Sequence, residues 1–270
     1  MFQNLRKSKK LLLIAMTCAT FAIAGCGSDT TKTTADNGPS VTWSETFDGT
    51  KTDFAVKSAP THAVSMSQAT TEMMLQLGLE DKMAGTAFKE EEIYPPLQAA
   101  YDKVKVLSEK WPSYEVFMSV KPDFATGWPD SFSKRAIPAD KMISQKVNIW
   151  IPESMLSTKA DLETNFSDMI KLGEIFGVKP KAEEWVSGQR KTLAAIQDKL
   201  KDLPRKRIFI YDSEDGQPFT AFEGYTTNIL KLIGADNVMS GLGVDKTWAK
   251  GSWETVIAQN PDYILSLIHI

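Results

Sequence analysis

Apolar positions along this chain follow two alternating rhythms. Short continuous apolar runs are separated by stretches in which apolar residues recur every three or four positions, with Gly and Pro between them. The runs predict strands at Ala63–Ser65, Lys82–Thr86, Val104–Leu107, Asp123–Thr126 and Val147–Ile151. The periodic stretches predict helices at Gln68–Leu77, Tyr114–Val120, Lys134–Ala139 and Leu162–Phe176, stopped by Gly78, Pro122 and Gly177 among others. The longest periodic stretch is Lys181–Leu203. Its apolar residues are Trp185, Val186, Leu193, Ile196, Leu200 and Leu203, and Pro180 and Pro204 bracket it. Glu183 and Glu184 in its first turn and Lys199 and Lys201 in its last complement a helix dipole. At 1.5 Å per residue this helix is roughly 35 Å long, the width of a small domain.

A second series follows. Arg207–Tyr211 reads as a strand and Asp212–Pro218 as a loop leading to Phe219–Ala221. Tyr225–Ile233 reads as a helix, Asn237–Met239 as a short strand and Lys246–Trp248 as a loop. Trp253–Gln259 then reads as a helix and Tyr263–Ile268 as a strand. Strands alternating with helices imply parallel sheets covered on both faces. The fold class is therefore α/β, with two Rossmann-like lobes, each with a central mainly parallel sheet, joined by one long rigid helix. The pattern alone suits an ordinary surface helix of one domain equally well. A lobe of this kind normally continues with a helix after its last strand, so the C-terminal lobe reads as truncated.

In parallel sheets ligands bind beyond the carboxyl ends of the strands. Here those exits carry Phe88, Trp111 and Trp128 in the first lobe, and Trp248 stands in a polar loop of the second. A Trp in a polar loop often marks a ligand surface, although any one of them also suits a cap over its own lobe's core. The lobes also echo each other. Tyr114-Glu115-Val116-Phe117-Met118-Ser119-Val120-Lys121-Pro122-Asp123 matches Trp253-Glu254-Thr255-Val256-Ile257-Ala258-Gln259-Asn260-Pro261-Asp262. Each is an aromatic residue and Glu, a short apolar helix, Pro-Asp and a strand. A glutamate that helps a helix dipole explains one Glu; it does not explain the matched pair Glu115 and Glu254.

The N-terminus changes the compartment. Arg6, Lys7, Lys9 and Lys10 precede the apolar stretch Leu11–Ala24, the layout of a secretory signal. It ends Ile23-Ala24-Gly25-Cys26, which resembles the lipobox of bacterial lipoproteins, in which the Cys becomes the lipidated first residue. Losing residues 1–25 removes four basic groups and no acid, so the net charge moves from −3 to −7. An acidic chain with no basic run is a poor nucleic-acid binder. Cys18 leaves with the signal and Cys26 is acylated, so no thiol remains for a disulfide. The expected segments are 1–25 signal, 26–59 lipidated Cys and flexible tether (with Val41–Phe47 an optional edge strand), 60–179 first lobe, 180–203 linking helix and 204–270 second lobe.

From Pro60 to Leu265 the chain resembles the class III, or cluster A-2, solute-binding proteins of ABC importers. The resemblance rests on the order of SQATTEMMLQLGLEDKMAGTA, YEVFMSVKPDFATGW, the long helix, RIFIYDSEDGQPFTAFEGYTTNILKLIGADNV and KTWAKGSWETVIAQNPDYIL. It implies a ligand cleft between two lobes, small motion on binding and no enzymatic activity. It implies cleft residues at Phe88, Trp111, Trp128, Tyr211, Phe219 and Trp248, and permease docking through Glu115 and Glu254. The ligand would be cobalamin, a ferric siderophore or haem, with no intrinsic cofactor. The partners would be a permease and its ATPase, and the protein a lipid-anchored monomer outside the cell membrane. Few Arg (135, 190, 205 and 207 after the signal) and many Trp favour a neutral or weakly charged ring-shaped ligand, although Lys110, Lys134, Lys246 and Lys250 are within reach of the exits. His62 and His269 are too few for a zinc-type site. Two other classes remain: a surface adhesin, and a hydrolase using Asp130, Asp212 and Asp215, for which no nucleophile motif or phosphate loop is present.

Overall fold

A computed structural model of the chain describes residues 40–267. The expected signal, Cys26 and His269 lie outside them. The chain opens with two strands, β1 (Val41–Phe47) and β2 (Thr50–Val56), paired antiparallel across an Asp48-Gly49 turn. Both turn residues have positive φ, 47° and 80°, as the tightest hairpin turns require. Of the tether expected over residues 26–59, positions 26–39 lie outside the described residues, Val41–Phe47 is the strand that was optional in that reading, and Thr50–Val56 is a second strand paired with it. Trp43 stacks on its cross-strand partner Phe54 with ring centroids 5.7 Å apart, and Phe47 meets Phe132 edge-on. Apolar burial holds the segment down where composition suggested a tether.

The first lobe then runs β3 (Ala63–Ser65), α1 (Gln68–Gln76), β4 (Met83–Ala87), α2 (Gln98–Tyr101), β5 (Val106–Ser108), α3 (Tyr114–Ser119), β6 (Phe124–Thr126), α4 (Ala139–Ser144), β7 (Asn148–Trp150) and α5 (Leu162–Ile175). Its five strands form one parallel sheet in the order β5-β4-β3-β6-β7. Cores cover both faces. One is built on Met74, Phe166, Met169 and Leu172, the other on Met66, Phe117, Met142 and Ile149. The helix expected at Lys134–Ala139 begins instead at Ala139. Pro138 keeps the residue before it out of helical geometry, so the helix starts after it.

The linking helix α6 spans Lys179–Leu200, with Pro180 inside its first turn. Only its first turns are buried: Ala182 and Val186 join the first lobe's core, while Ile196 is 40% exposed. Beyond Val186 its residues are largely open to solvent, as in a strut between lobes. Arg190 pairs with Glu163 of α5, and Gln197 Nε2 donates to Leu232 O of the second lobe (3.2 Å).

The second lobe holds β8 (Lys206–Tyr211), β9 (Ser213–Glu214), β10 (Pro218–Ala221), α7 (Tyr225–Leu232), β11 (Ala235–Asn237), β12 (Trp248–Lys250), α8 (Trp253–Gln259) and β13 (Tyr263–Ser266). β11-β8-β13 is a parallel sheet. β12-β10-β9 is a small antiparallel sheet, so Trp248, read as a loop residue, opens a strand. Phe209 and Ile210 of β8 are fully buried. Asn228 Nδ2 of α7 donates to Ala160 O of the first lobe (2.8 Å), a second tie between the lobes beside α6.

Candidate ligand cleft

A cleft of about 430 Å³ opens between the lobes. The first lobe contributes Ala69 and Met73 from α1, Trp128 from the exit of β6, Ser154 and Met155 from the exit of β7, and Asn165 from α5. The second contributes Glu223, Tyr225 and Thr226 at the start of α7, and Thr247 and Trp248 at the start of β12. A groove of about 470 Å³, lined by Leu200, Leu203, Ile208, Ile233 and Tyr263, lies where β8 begins, the end of the sheet opposite to the exits. The strand-exit cleft is where a parallel sheet places ligands.

Local chain geometry puts the aromatic residues there. Gly127 lets β6 turn into Trp128: a Cβ on it would stand 2.9 Å from Ser131 Oγ and 3.1 Å from Met66 Cβ. Trp128 then donates its indole N–H to Glu90 Oε2 (3.3 Å). Gly224 has φ +85°, a left-handed conformation, and a Cβ there would meet Thr247 Cγ2 at 2.8 Å. That close approach brings Tyr225 beside the Thr247-Trp248 wall. Trp248 stacks on Phe219 with centroids 6.2 Å apart.

Trp128 and Trp248 therefore face one cavity from opposite lobes, with Phe219 behind Trp248. The other expected cleft residues are paired elsewhere. Phe88 and Trp111 stack at 4.5 Å and 15°, and Trp111 donates to Met66 O (3.0 Å). Phe88 has φ 59°, a strained conformation for a bulky residue, which the stack holds in place. Tyr211 stacks on Trp253 (6.0 Å), and both donate to Glu214 (3.3 Å each). Sequence reasoning missed Met73, Met155, Asn165, Glu223 and Tyr225. Tyr225 carried a signal, since it follows a glycine at a predicted helix start.

Carboxylates ring this region. Burial raises the Glu90 pKa, the Trp128 N–H works against it, and the charges of Glu91 and Asp212 add to it. Glu223 accepts from Ser240 Oγ and the Gly241 N–H. Burial, then the charge of Asp168, raises the Tyr225 hydroxyl. Asp168 is itself buried and accepts from the N–H groups of Glu153 and Ser154, both at 2.9 Å. Every described arginine is engaged: Arg135 with Asp130, Arg190 with Glu163, Arg205 with Asp236, and Arg207 with Gln259 O. Of the aspartates Asp130, Asp212 and Asp215, Asp130 is paired with Arg135 (2.6 Å) and Asp215 with Lys250 (2.8 Å). His62 stands at the start of β3, bonded to Thr61 and Asp123.

Glu115 and Glu254 occupy the same position, the second residue of α3 and α8, and both are exposed. The backbone N–H of Glu115, then Ser113, lowers the Glu115 pKa.

Two α/β lobes on a helical strut, with a cavity between their strand exits, define a two-lobed binding protein. The family model for periplasmic binding proteins matches residues 64–269, and the chain belongs to that family. It is a binding protein and not an enzyme. A crystal structure of a periplasmic binding protein from Veillonella parvula DSM 2008 is similar to it with a TM-score of 0.84 and 96% identity, covering 85% of this chain and 77% of that one. A Bacillus subtilis (strain 168) protein described as an uncharacterized ABC transporter substrate-binding lipoprotein, YvrC, is 26% identical over 96% of this chain and 81% of its own length. The vitamin B12-binding protein of Yersinia pestis (strain Pestoides F) is 23% identical over 77% of this chain and 69% of its own.

Proposed function

We propose that this chain is the extracytoplasmic solute-binding component of an ABC importer. It captures a corrinoid or an iron complex, that is, cobalamin, a ferric siderophore or haem, in the inter-lobe cleft and delivers it to a membrane permease and its ATPase. The observation that carries this reading is a cavity walled by Trp128 from one lobe and by Trp248 and Tyr225 from the other. Flat aromatic walls bury a large ligand and stack on a ring system without any chemistry. The strut supports a small closing motion, because an intact helix hinges poorly. Relatives described as a substrate-binding lipoprotein and a vitamin B12-binding protein support the transport role and a Cys26-linked lipid anchor.

Charge narrows the ligand. Glu90 and Glu223 stand at the cleft, and the described arginines are committed elsewhere. Polyanionic catecholate chelates call for Arg or Lys at the site, and the described cavity lining holds Glu223 but no Arg or Lys, so a neutral or weakly charged ring-shaped ligand fits better, a corrinoid first. Glu115 and Glu254 are proposed to dock the permease, one from each lobe. Phe219, stacked on Trp248, backs the second lobe's wall, and Phe88, Trp111 and Tyr211 stay in stacks outside the cavity lining. Tryptophan emission titrated with cyanocobalamin, ferrioxamine B, ferric enterobactin and haemin tests it. Saturable quenching by cyanocobalamin or ferrioxamine B is expected. Quenching by ferric enterobactin alone would overturn the charge argument. No response to any of the four from folded protein would count against the transport reading and favour a surface adhesin.

A further inference from the structure

The hairpin β1-β2 grips the edge of the first lobe's sheet with two side chains. β7 is the last strand of that sheet; Ile149 lies within it and Ile151 follows its last residue. Trp43 Nε1 donates to Ile149 O (2.7 Å), and Glu45 Oε1 accepts from Ile151 N–H (2.9 Å). Side chains here replace the missing neighbouring strand, which leaves the edge neither open nor paired. Glu45 is only 6% exposed. Immediately after Ile151 comes the segment that carries Ser154 and Met155 into the cleft, and Asp168 holds its Glu153 and Ser154 N–H groups from the opposite side. Two buried carboxylates thus clamp one short stretch of cleft wall.

We propose that Glu45 is a proton-operated positioning residue: as a neutral acid it stays buried against Ile151 and holds the hairpin and the Ser154–Met155 wall in place, and as a carboxylate with no buried cation beside it among the described residues, it is drawn towards water in spite of the Ile151 N–H and lets that wall loosen. The consequence for a ligand rests on reading the cleft as the binding site; the latch itself does not.

The groups facing Glu45 decide the direction. Burial pushes its pKa up to about 7 from 4.5, the Ile151 N–H works against this, and the negative charges of Glu153 and Asp168 add to it. Burial raises the Asp168 pKa as well, so Asp168 offers no compensation. From α5, Lys171 is turned to Thr42 O (2.9 Å) and Glu174 (3.8 Å). On β2, Lys51 and Asp53 flank Thr52, the partner of Glu45, and meet each other at 4.0 Å with both side chains well exposed. Tyr225 faces Asp168 and stays neutral, since its pKa is raised. An acid whose folded pKa lies above its unfolded one contributes its full stabilisation below the unfolded value, near 4.5, and loses it as pH rises through about 7. The latch is therefore tight in mild acid and weak above neutrality.

Amide hydrogen exchange of the protein at pH 5 and pH 8, corrected for intrinsic rates, tests this without any ligand. Protection of residues 41–56 and 147–156 should fall on the order of tenfold or more from pH 5 to pH 8. Glu45→Gln, which keeps the acceptor and cannot ionise, should hold its protection at both pH values. Equal protection of the natural protein at the two pH values, or an unchanged pH response in Glu45→Gln, would overturn the proposal. Should the variant not fold, the Ile151 and Ser154 amide resonances of the natural protein decide: a shared midpoint near pH 7 supports the latch, and its absence refutes it.

Discussion

α3 and α8 are one device built twice, and their differences show which parts of it are structural. Each helix is capped by a serine: Ser113 Oγ accepts from Val116 N–H (3.3 Å) and Ser252 Oγ from Thr255 N–H (3.1 Å). Each carries an exposed Glu next to its first aromatic residue. Each ends on a residue forced to positive φ before a proline, Lys121 at 50° and Asn260 at 46°. The aspartate after that proline then holds the start of the neighbouring strand. Asp123 accepts from Thr61 and His62 N–H groups beside β3, and Asp262 from Arg207 N–H beside β8 (2.8 Å). Beyond this shared frame the two copies part. Tyr114 lies under Lys141 of α4, whereas Trp253 stacks on Tyr211 and is bonded to Glu214. Phe117 fills a large core as a fully buried ring, and Val256 fills a small one. What is common serves strand registration and presents the glutamates; what differs reflects how much core each lobe builds.

The largest expected effect falls on the shared glutamates. Glu115→Ala and Glu254→Ala should each abolish cellular uptake while leaving ligand affinity unchanged in a binding titration. Loss of affinity in either would place that Glu in the cleft and remove it from the docking surface. Next come the matched core positions. Phe117→Ala should cost about 3–5 kcal/mol and Val256→Ala about 2 kcal/mol in urea unfolding. Equal costs would mean that the two cores are closer in size than their buried residues indicate. The smallest effect is at the caps. Ser113→Ala and Ser252→Ala should each cost about 1 kcal/mol, with the shorter Ser252 bond making its loss no smaller.

The echo, the alternation of strand and helix and the strut were legible because each rests on local chemistry: apolar period, Pro and Gly punctuation, and capping serines. The hairpin was read only in part, Val41–Phe47 as an optional edge strand and its partner Thr50–Val56 not at all. Its composition is that of a tether, and its buried positions include a charged residue, Glu45, where an alternating pattern leads one to expect an apolar one. The Asp48-Gly49 pair between Phe47 and Thr50 was the available signal, a two-residue turn that favours a tight hairpin. In the cleft, Trp128 and Trp248 were legible as aromatic residues in polar loops. The Phe88–Trp111 stack was not, because a sequence shows that two rings stand at strand exits and not that they face each other. Tyr225, Glu223 and Asn165 reach the cavity only through the mutual placement of the lobes, which α6 and the Asn228–Ala160 bond set.

The central claim is that ligand sits between Trp128 and Trp248. Calorimetric titration of Trp128→Ala and Trp248→Ala with whichever compound quenches the natural protein tests it most directly. The account predicts that each variant, folded by circular dichroism, binds about ten- to a hundredfold more weakly, the loss of one aromatic wall of roughly 1.5–3 kcal/mol. Unchanged affinity in both folded variants would contradict it and move the binding site out of this cleft.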